Sequence, residues 1–196
     1  MKLIFATANI HKIEEIQQLL GESFEISTPA SLGFYEEIPE TGDTLQANAL
    51  QKARLIWEKF EIACIGDDTG LEVDALHGAP GVYSARYAGE GKNAEDNMQL
   101  LLKNMRHESN RAARFRCVIA LITDGKEYLF EGKVEGIILH EKHGEKGFGY
   151  DPIFRPAGYN CTFAEMSMEE KNIISHRGKA VMQLIDFLKK ICNKNS

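Results

Sequence analysis

Short apolar runs alternate along the chain with apolar stripes of helical period. Lys2–Ala6 (KLIFA) predicts a buried strand, and Ile13, Ile16, Leu19 and Leu20 after it fall on one face of a helix. Phe24–Ser27 predicts a second strand. Asp43, with Gln46 three residues on, has the form of a capping box. It would open a helix to about Phe60 with Leu45, Ala49, Ala53, Ile56 and Phe60 as its stripe. Ile62–Gly66 then reads as a strand that delivers Asp67 and Asp68 at its C-terminal end. Asn93 is placed to cap a helix through Met105. Arg114–Ile122 alternates, and Lys126–Ile138 follows across Asp124-Gly125, a hairpin signal. Ser167 and Glu170 form another capping box, and the last helix carries Val181, Leu184, Ile185, Leu188 and Ile191. The pattern predicts an α/β fold, a mixed central β-sheet flanked by helices, with the hairpin in a second lobe.

Length and composition narrow the class. The 196 residues suit one large domain, 1–196, or two closely joined lobes, with no linker rich enough in Gly, Pro or Ser to split them. A formal net charge of -6 argues against nucleic acid or an acidic membrane surface as a partner. An anionic ligand would need a local basic cluster or a metal ion. The N-terminal apolar run is too short for a signal peptide and no stretch approaches a membrane span. Cys64, Cys117, Cys161 and Cys192 are scattered without metal-like pairing, which suggests reduced thiols in a cytoplasmic protein.

Four local constellations have chemical potential. Thr7-Ala8-Asn9-Ile10-His11-Lys12 joins the first strand to the first helix. Such a turn aims backbone N–H groups and the positive helix end at one spot, and Lys12 adds a point charge for a phosphate. Taken alone, it reads first as an ordinary helix cap beside a surface lysine. Glu40 with Asp67-Asp68-Thr69 offers hard oxygen ligands for Mg²⁺, and Asp68 could accept a proton from a bound water. A solvated acidic turn is the plainer alternative. Gly147-Phe148-Gly149-Tyr150-Asp151-Pro152 has glycines that would let a ring lie open for a base to stack, or a core aromatic at a hairpin rim. Lys171 with Ser175-His176-Arg177-Gly178 is a donor cluster at a helix break, or a basic helix surface. His140 and His143 have no third ligand at metal spacing, and Leu100-Leu101-Leu102 reads as core.

Together these stretches resemble the inosine triphosphate pyrophosphatase family. TANIHK, ETG, NALQKA, DDTGLEVDALHGAPGVYSARYAG, GFGYDPIF and SHRGKA carry the resemblance over nearly the whole chain, in order. It implies Mg²⁺-dependent hydrolysis of deaminated purine nucleoside triphosphates (ITP, dITP, XTP) to a monophosphate and pyrophosphate. It also implies two lobes with a cleft between them, and a homodimer. By the same resemblance Thr7, Ala8, Asn9, Ile10, His11 and Lys12 cradle phosphates and Lys52 is a second phosphate lysine. Glu40 and Asp68 hold the metal, Asp68 is the proton acceptor, and Thr69 contacts substrate. Phe148, Gly149, Tyr150, Asp151, Lys171, His176 and Arg177 surround base and sugar, with His176 and Arg177 expected to read the 6-oxo group. Two positions depart from the pattern: Pro39 stands where many relatives have a second glutamate, and Ala8 replaces a frequent glycine. SHRGKA and GFGYDPIF argue against the related Maf-type pyrophosphatases. Intact Asp67, Asp68 and Glu40 argue against a nucleotide sensor that binds without hydrolysis.

Overall fold

The structure, a computed structural model, describes residues 2–21 and 24–194, with side chains as far as Ile191. The strands are β1 (Lys2–Phe5), β2 (Glu25–Ser27), β3 (Cys64–Val73), β4 (Pro80–Gly81), β5 (Ala112–Thr123), β6 (Lys126–Ile138) and β7 (Phe154–Pro156). The helices are α1 (Ile10–Leu20), α2 (Leu45–Phe60), α3 (Ala94–Asn104), α4 (Met168–Ile174) and α5 (His176–Lys194). Hydrogen bonding runs in the order β2-β1-β3-β5-β6-β7, with β4 on β3. The sheet is mixed. β1 pairs in parallel with β2 and β3, placing Ile4 opposite Cys64, whereas β4 on β3 and β7 on β6 are antiparallel.

The chain divides into two compact units. The first comprises residues 1–68, 117–132 and 177–196. Its core joins Leu3 and Phe5 of β1, Ile65 of β3 and Ile119 of β5 to Ile16 of α1 and Leu184 of α5. The second comprises residues 69–116 and 133–176, around Leu71, Leu101, Phe115, Phe154 and Phe163. No helix among the described residues is long and apolar enough to cross a membrane. Cys64 and Cys117 are buried free thiols and Cys161 is a half-buried one; the Cys192 side chain lies outside the described residues.

Several local expectations are revised. β3 does not end before the acidic pair but runs through it to Val73, and β4 then returns to pair Gly81 with Leu71. The N-cap of α2 is Thr44, not Asp43, because the Thr44 hydroxyl accepts from Ala47 N–H three residues on. The hairpin does turn at Asp124-Gly125, both at positive φ, but its tip belongs to the first unit and its open ends to the second. The Ser167–Glu170 capping box opens only the short α4; an extended Ser175 separates it from α5.

Alternation along β3 sets up the site. Cys64 and Gly66 face α2: the Cys64 thiol lies 3.2 Å from Ala53 O, and a Cβ on Gly66 would come 2.4 Å from Ala49 O and 2.9 Å from Ala53 N. Ile65 faces the opposite way, into the core shared with α1 and α5. Gly66 is therefore the contact point at which helix and strand backbones meet. Gly66→Ala should be destabilising by at least the ~1–3 kcal/mol typical of overpacking, because the clash is with helix backbone rather than a movable side chain. Urea unfolding would show this as a lowered midpoint; a midpoint equal to that of the parent would mean α2 does not lie this close.

Candidate active site

Adjacent residues of a strand project to opposite faces, and Asp67 and Asp68 follow that rule. Asp67 points with Ile65 toward α1 and α5, Asp68 with Gly66 toward α2. Lys12 and Arg177 hydrogen-bond Asp67, and Lys52 and Asn48 hydrogen-bond Asp68; all four lie in the first unit.

Asp67 is almost wholly buried. Its Oδ1 accepts from Lys12 Nζ at 2.9 Å and its Oδ2 from Arg177 Nη2 at 3.3 Å, with Cys117 Sγ at 4.0 Å. Arg177 also donates through Nη1 to Glu15, a buried carboxylate of α1. Burial alone would push Asp67 up, but Lys12, Arg177 and Lys52 overcome it and hold the carboxyl well below its ordinary value. Burial pulls Arg177 down, and Glu15 and Asp67 more than offset that, holding the guanidinium above its ordinary value.

Asp68 is in a different situation. Its Oδ1 accepts from Lys52 Nζ at 3.1 Å and its Oδ2 from Asn48 Nδ2 at 3.1 Å. Lys52 Nζ also donates to Glu40 Oε1 at 2.6 Å. Burial pushes Asp68 up; Lys52 and Lys12 offset this only in part, and the neighbouring Glu40 adds to it. Lys52 moves up as well, because Asp68, Asp67 and Glu40 outweigh the effect of its burial. Two carboxylates side by side thus have shifts of opposite sign.

The loop from Thr7 to Lys12 spends several of its polar groups on itself. Thr7 Oγ1 accepts from Asn9 N–H, and Asn9 Oδ1 accepts from His11 and Lys12 N–H, so Asn9 is the N-cap of α1. Ala8 adopts no positive φ, so the glycine it replaces is not missed. Ala8, Asn9, Ile10 and His11 are exposed, and Thr7 is half-buried.

In the second unit, Asp151 is the centre of a clamp. Its Oδ2 accepts from Phe148 N–H at 2.8 Å and from Lys171 Nζ at 2.7 Å, and Lys171 Nζ lies 4.8 Å from the centre of the half-buried Phe148 ring. Gly147, at φ +73°, is required there: a Cβ would fall 2.2 Å from Asp151 Oδ2. The buried Tyr150 turns inward, its hydroxyl donating to Ser84 O, so it holds the fold rather than presenting a ring. Gly149 has a positive φ, and Thr69, on β3, is half-buried. His176 is buried and stacks on Phe115 at 4.7 Å and 14°.

Arg177 was expected to read a purine; its side chain is 1% exposed and its terminal nitrogens donate to Glu15 and Asp67. Two participants had no role assigned from the sequence, Glu15 and Asn48, the latter quoted only within NALQKA. Each is a polar residue on an otherwise buried helix face, Glu15 beside Ile16 and Asn48 beside Ala49 and one turn before Lys52. That misplacement in the apolar stripe was the available signal.

Glu40 and Asp68 offer the hard oxygen ligands that a divalent cation takes, and both reach Lys52 Nζ, at 2.6 Å and 3.1 Å, so the two carboxylates lie near one another. Among the described residues no three His, Cys, Asp or Glu form a metal cluster. Mg²⁺ does not require one, since it is commonly bound by one or two carboxylates and completed by water and phosphate oxygens.

A model of the Ham1 family matches residues 3–187. The chain belongs to the Ham1 family. It is 54% identical over 188 residues to the dITP/XTP pyrophosphatase of Flavobacterium johnsoniae, covering 96% of this chain and 98% of that one. The dITP/XTP pyrophosphatase of Porphyromonas gingivalis is 53% identical over 194 residues, 98% of this chain and 99% of its own. Among solved structures, the Staphylococcus aureus Ham1 protein superposes with a TM-score of 0.89 at 38% identity, covering 97% of this chain and 99% of that one. The α/β fold is thus that of the Ham1 proteins.

The Asp67 environment makes a pH-dependent prediction. A carboxyl held below its unfolded value stabilises the fold above that value, about 3.9, and the contribution is lost as pH falls through the folded one. Asp67→Asn leaves Lys12 and Arg177 without their shared carboxylate and should cost ~3–5 kcal/mol at neutral pH. The penalty should hold constant from pH 8 to about 5 and shrink only in stronger acid. Urea titrations of both proteins across that range measure it, and a difference indifferent to acid would assign it to packing instead.

Proposed function

We propose that this chain is a nucleoside triphosphate pyrophosphatase, hydrolysing dITP, ITP and XTP to the monophosphate and pyrophosphate with Mg²⁺. The observation that carries the reading is geometric: Asp68 on β3 meets Lys52, which also holds Glu40, while Asp67 on the opposite face of the strand holds Lys12. The names of relatives about half identical over almost the full length, dITP/XTP pyrophosphatases, support the substrate class.

On this reading water attacks the α-phosphorus, the bond from that phosphorus to the α-β bridging oxygen breaks, and pyrophosphate leaves. Asp68 takes the proton of the attacking water, as a carboxylate placed beside the phosphate-binding Lys52 can. Lys12 and Lys52 bind phosphate oxygens, and Asp67 keeps Lys12 in position. Mg²⁺, held by Glu40 and Asp68, would supply charge neutralisation for the phosphate oxygens. The base end is assigned to Phe148, whose stacking would contribute on the order of 1–3 kcal/mol without distinguishing bases. His176 is assigned as the donor to the 6-oxo group, which adenine lacks.

The test is incubation with dITP, ITP, XTP and dATP, with products separated by chromatography. The deaminated substrates should give monophosphate and pyrophosphate, dATP little of either, and EDTA should stop turnover until Mg²⁺ is restored. A diphosphate and orthophosphate as first products would overturn the assignment of the bond. Asp68→Asn should lower kcat by ~10²–10⁴, the usual worth of a general base, while circular dichroism shows the fold retained. Activity within a few-fold of the parent would place the proton acceptor elsewhere.

A further inference from the structure

Asn48 lies at the junction of the two segments that carry the acidic groups of the site. It is fully buried on α2, one helical turn before Lys52. Its Oδ1 accepts from Gly42 N–H at 2.7 Å, and its Nδ2 donates to Asp68 Oδ2 at 3.1 Å. These two partners determine the amide's orientation. A flipped amide would set its NH₂ against a backbone N–H and its oxygen against a carboxylate, two mismatches at once.

Gly42 follows Glu40 by two residues, and the segment between them is strapped to the same helix. Thr41 N–H donates to Gln51 Oε1 at 3.0 Å, Thr41 Oγ1 accepts from Gln51 Nε2 at 2.9 Å, and Glu40 accepts from Lys52. The strap is tight at Gly42, where a Cβ would meet Ala47 Cβ at 2.7 Å and Asn48 Oδ1 at 2.9 Å. Asp68 has one oxygen on Lys52 and the other on Asn48, so rotation of its carboxylate would break at least one contact.

We infer that Asn48 is a positioning residue: through one side-chain amide it fixes the rotation of the Asp68 carboxylate and the placement of the Glu40–Gly42 segment relative to it. The inference rests on the proposed role of Asp68. Asn48 itself touches neither substrate nor a reacting atom on this reading. A purely structural strap would need only its acceptor, toward Gly42; the donor toward Asp68 is what positioning adds.

Asn48→Asp separates these roles, because it keeps shape and acceptor but turns the donor into a second carboxylate facing Asp68. Amide hydrogen exchange at Gly42 reports the strap, and kcat and KM for dITP report Asp68. We expect Gly42 to stay protected, KM to change by less than about threefold, and kcat to fall ~10- to 100-fold, the range for losing a hydrogen bond to a charged group. A kcat within twofold of the parent, with Gly42 protected, would overturn the inference. Should Asn48→Asp fail to fold, Asn48→Ala replaces it: kcat should again fall with KM held, and a parental kcat again overturns the inference. Should the parent protein itself not turn over dITP, the proposed function fails separately. Asn48 is then judged from a crystal structure of Asn48→Asp, where Asp68 rotated away from position 48 supports the inference and an unmoved Asp68 overturns it.

Discussion

Everything in the first unit's acidic site depends on the alternation of side chains along β3. Two carboxylates in succession would repel one another in a shared environment and raise each other's pKa. A strand sends successive side chains to opposite faces, and a helix surface with its own cations waits on each side. Lys12 from α1 and Arg177 from α5 meet Asp67; Lys52 and Asn48 from α2 meet Asp68. The same backbone rule that puts Ile65 in the core therefore gives the two acids different chemistry. A one-residue slip of β3 against β1 would exchange their faces, and the registry of Ile4 with Cys64 and of Phe5 with Ile65 is what prevents it.

Proximity of α2 to that strand is the second requirement. Ala49 and Ala53 are small, and Gly66 has no side chain, so helix and strand backbones approach closely enough for a Cβ to be excluded. Asn48 and Lys52, four apart, share the helix face that meets the strand. At ordinary helix–sheet spacing, neither the short amide of Asn48 nor a largely buried ammonium would reach Asp68. The three small residues are thus as much part of the site as the polar ones, although they contribute no functional group.

Much of this could be read from the chain, and what could not has a physical explanation. The hairpin at Asp124-Gly125 was legible because a two-residue turn at positive φ demands those residue types. The stripe of α2 was legible from its period and Lys52 from the family resemblance, but the role of Asn48 was not, since an amide beside the stripe has no evident partner until a buried acid is known to lie opposite. The end of β3 was misread because Asp-Asp-Thr-Gly normally punctuates a strand; here tertiary cations make the acids tolerable in its middle. The buried setting of Arg177 was not legible, for the complementary reason. Its partners, Glu15 and Asp67, lie 162 and 110 residues away, and nothing local announces them.

Buried ion pairs seldom stabilise a fold better than well-packed apolar residues would, because desolvation cancels much of the attraction. The chain Glu15–Arg177–Asp67–Lys12 is therefore better understood as a device that fixes geometry than as a source of stability. Its members are not equivalent. Arg177 is completely enclosed, with a carboxylate on each of its terminal nitrogens. Lys12 keeps 15% of its side chain exposed and has three donors, of which Asp67 takes one. Arg177 thus shares Asp67 and anchors it, and Asp67 in turn aims an ammonium with hydrogen-bonding capacity to spare. Of the two cations on this carboxylate, only Lys12 combines exposure with unused donors, so a phosphate arriving from solvent would meet Lys12, while Arg177 keeps Asp67 in register behind it.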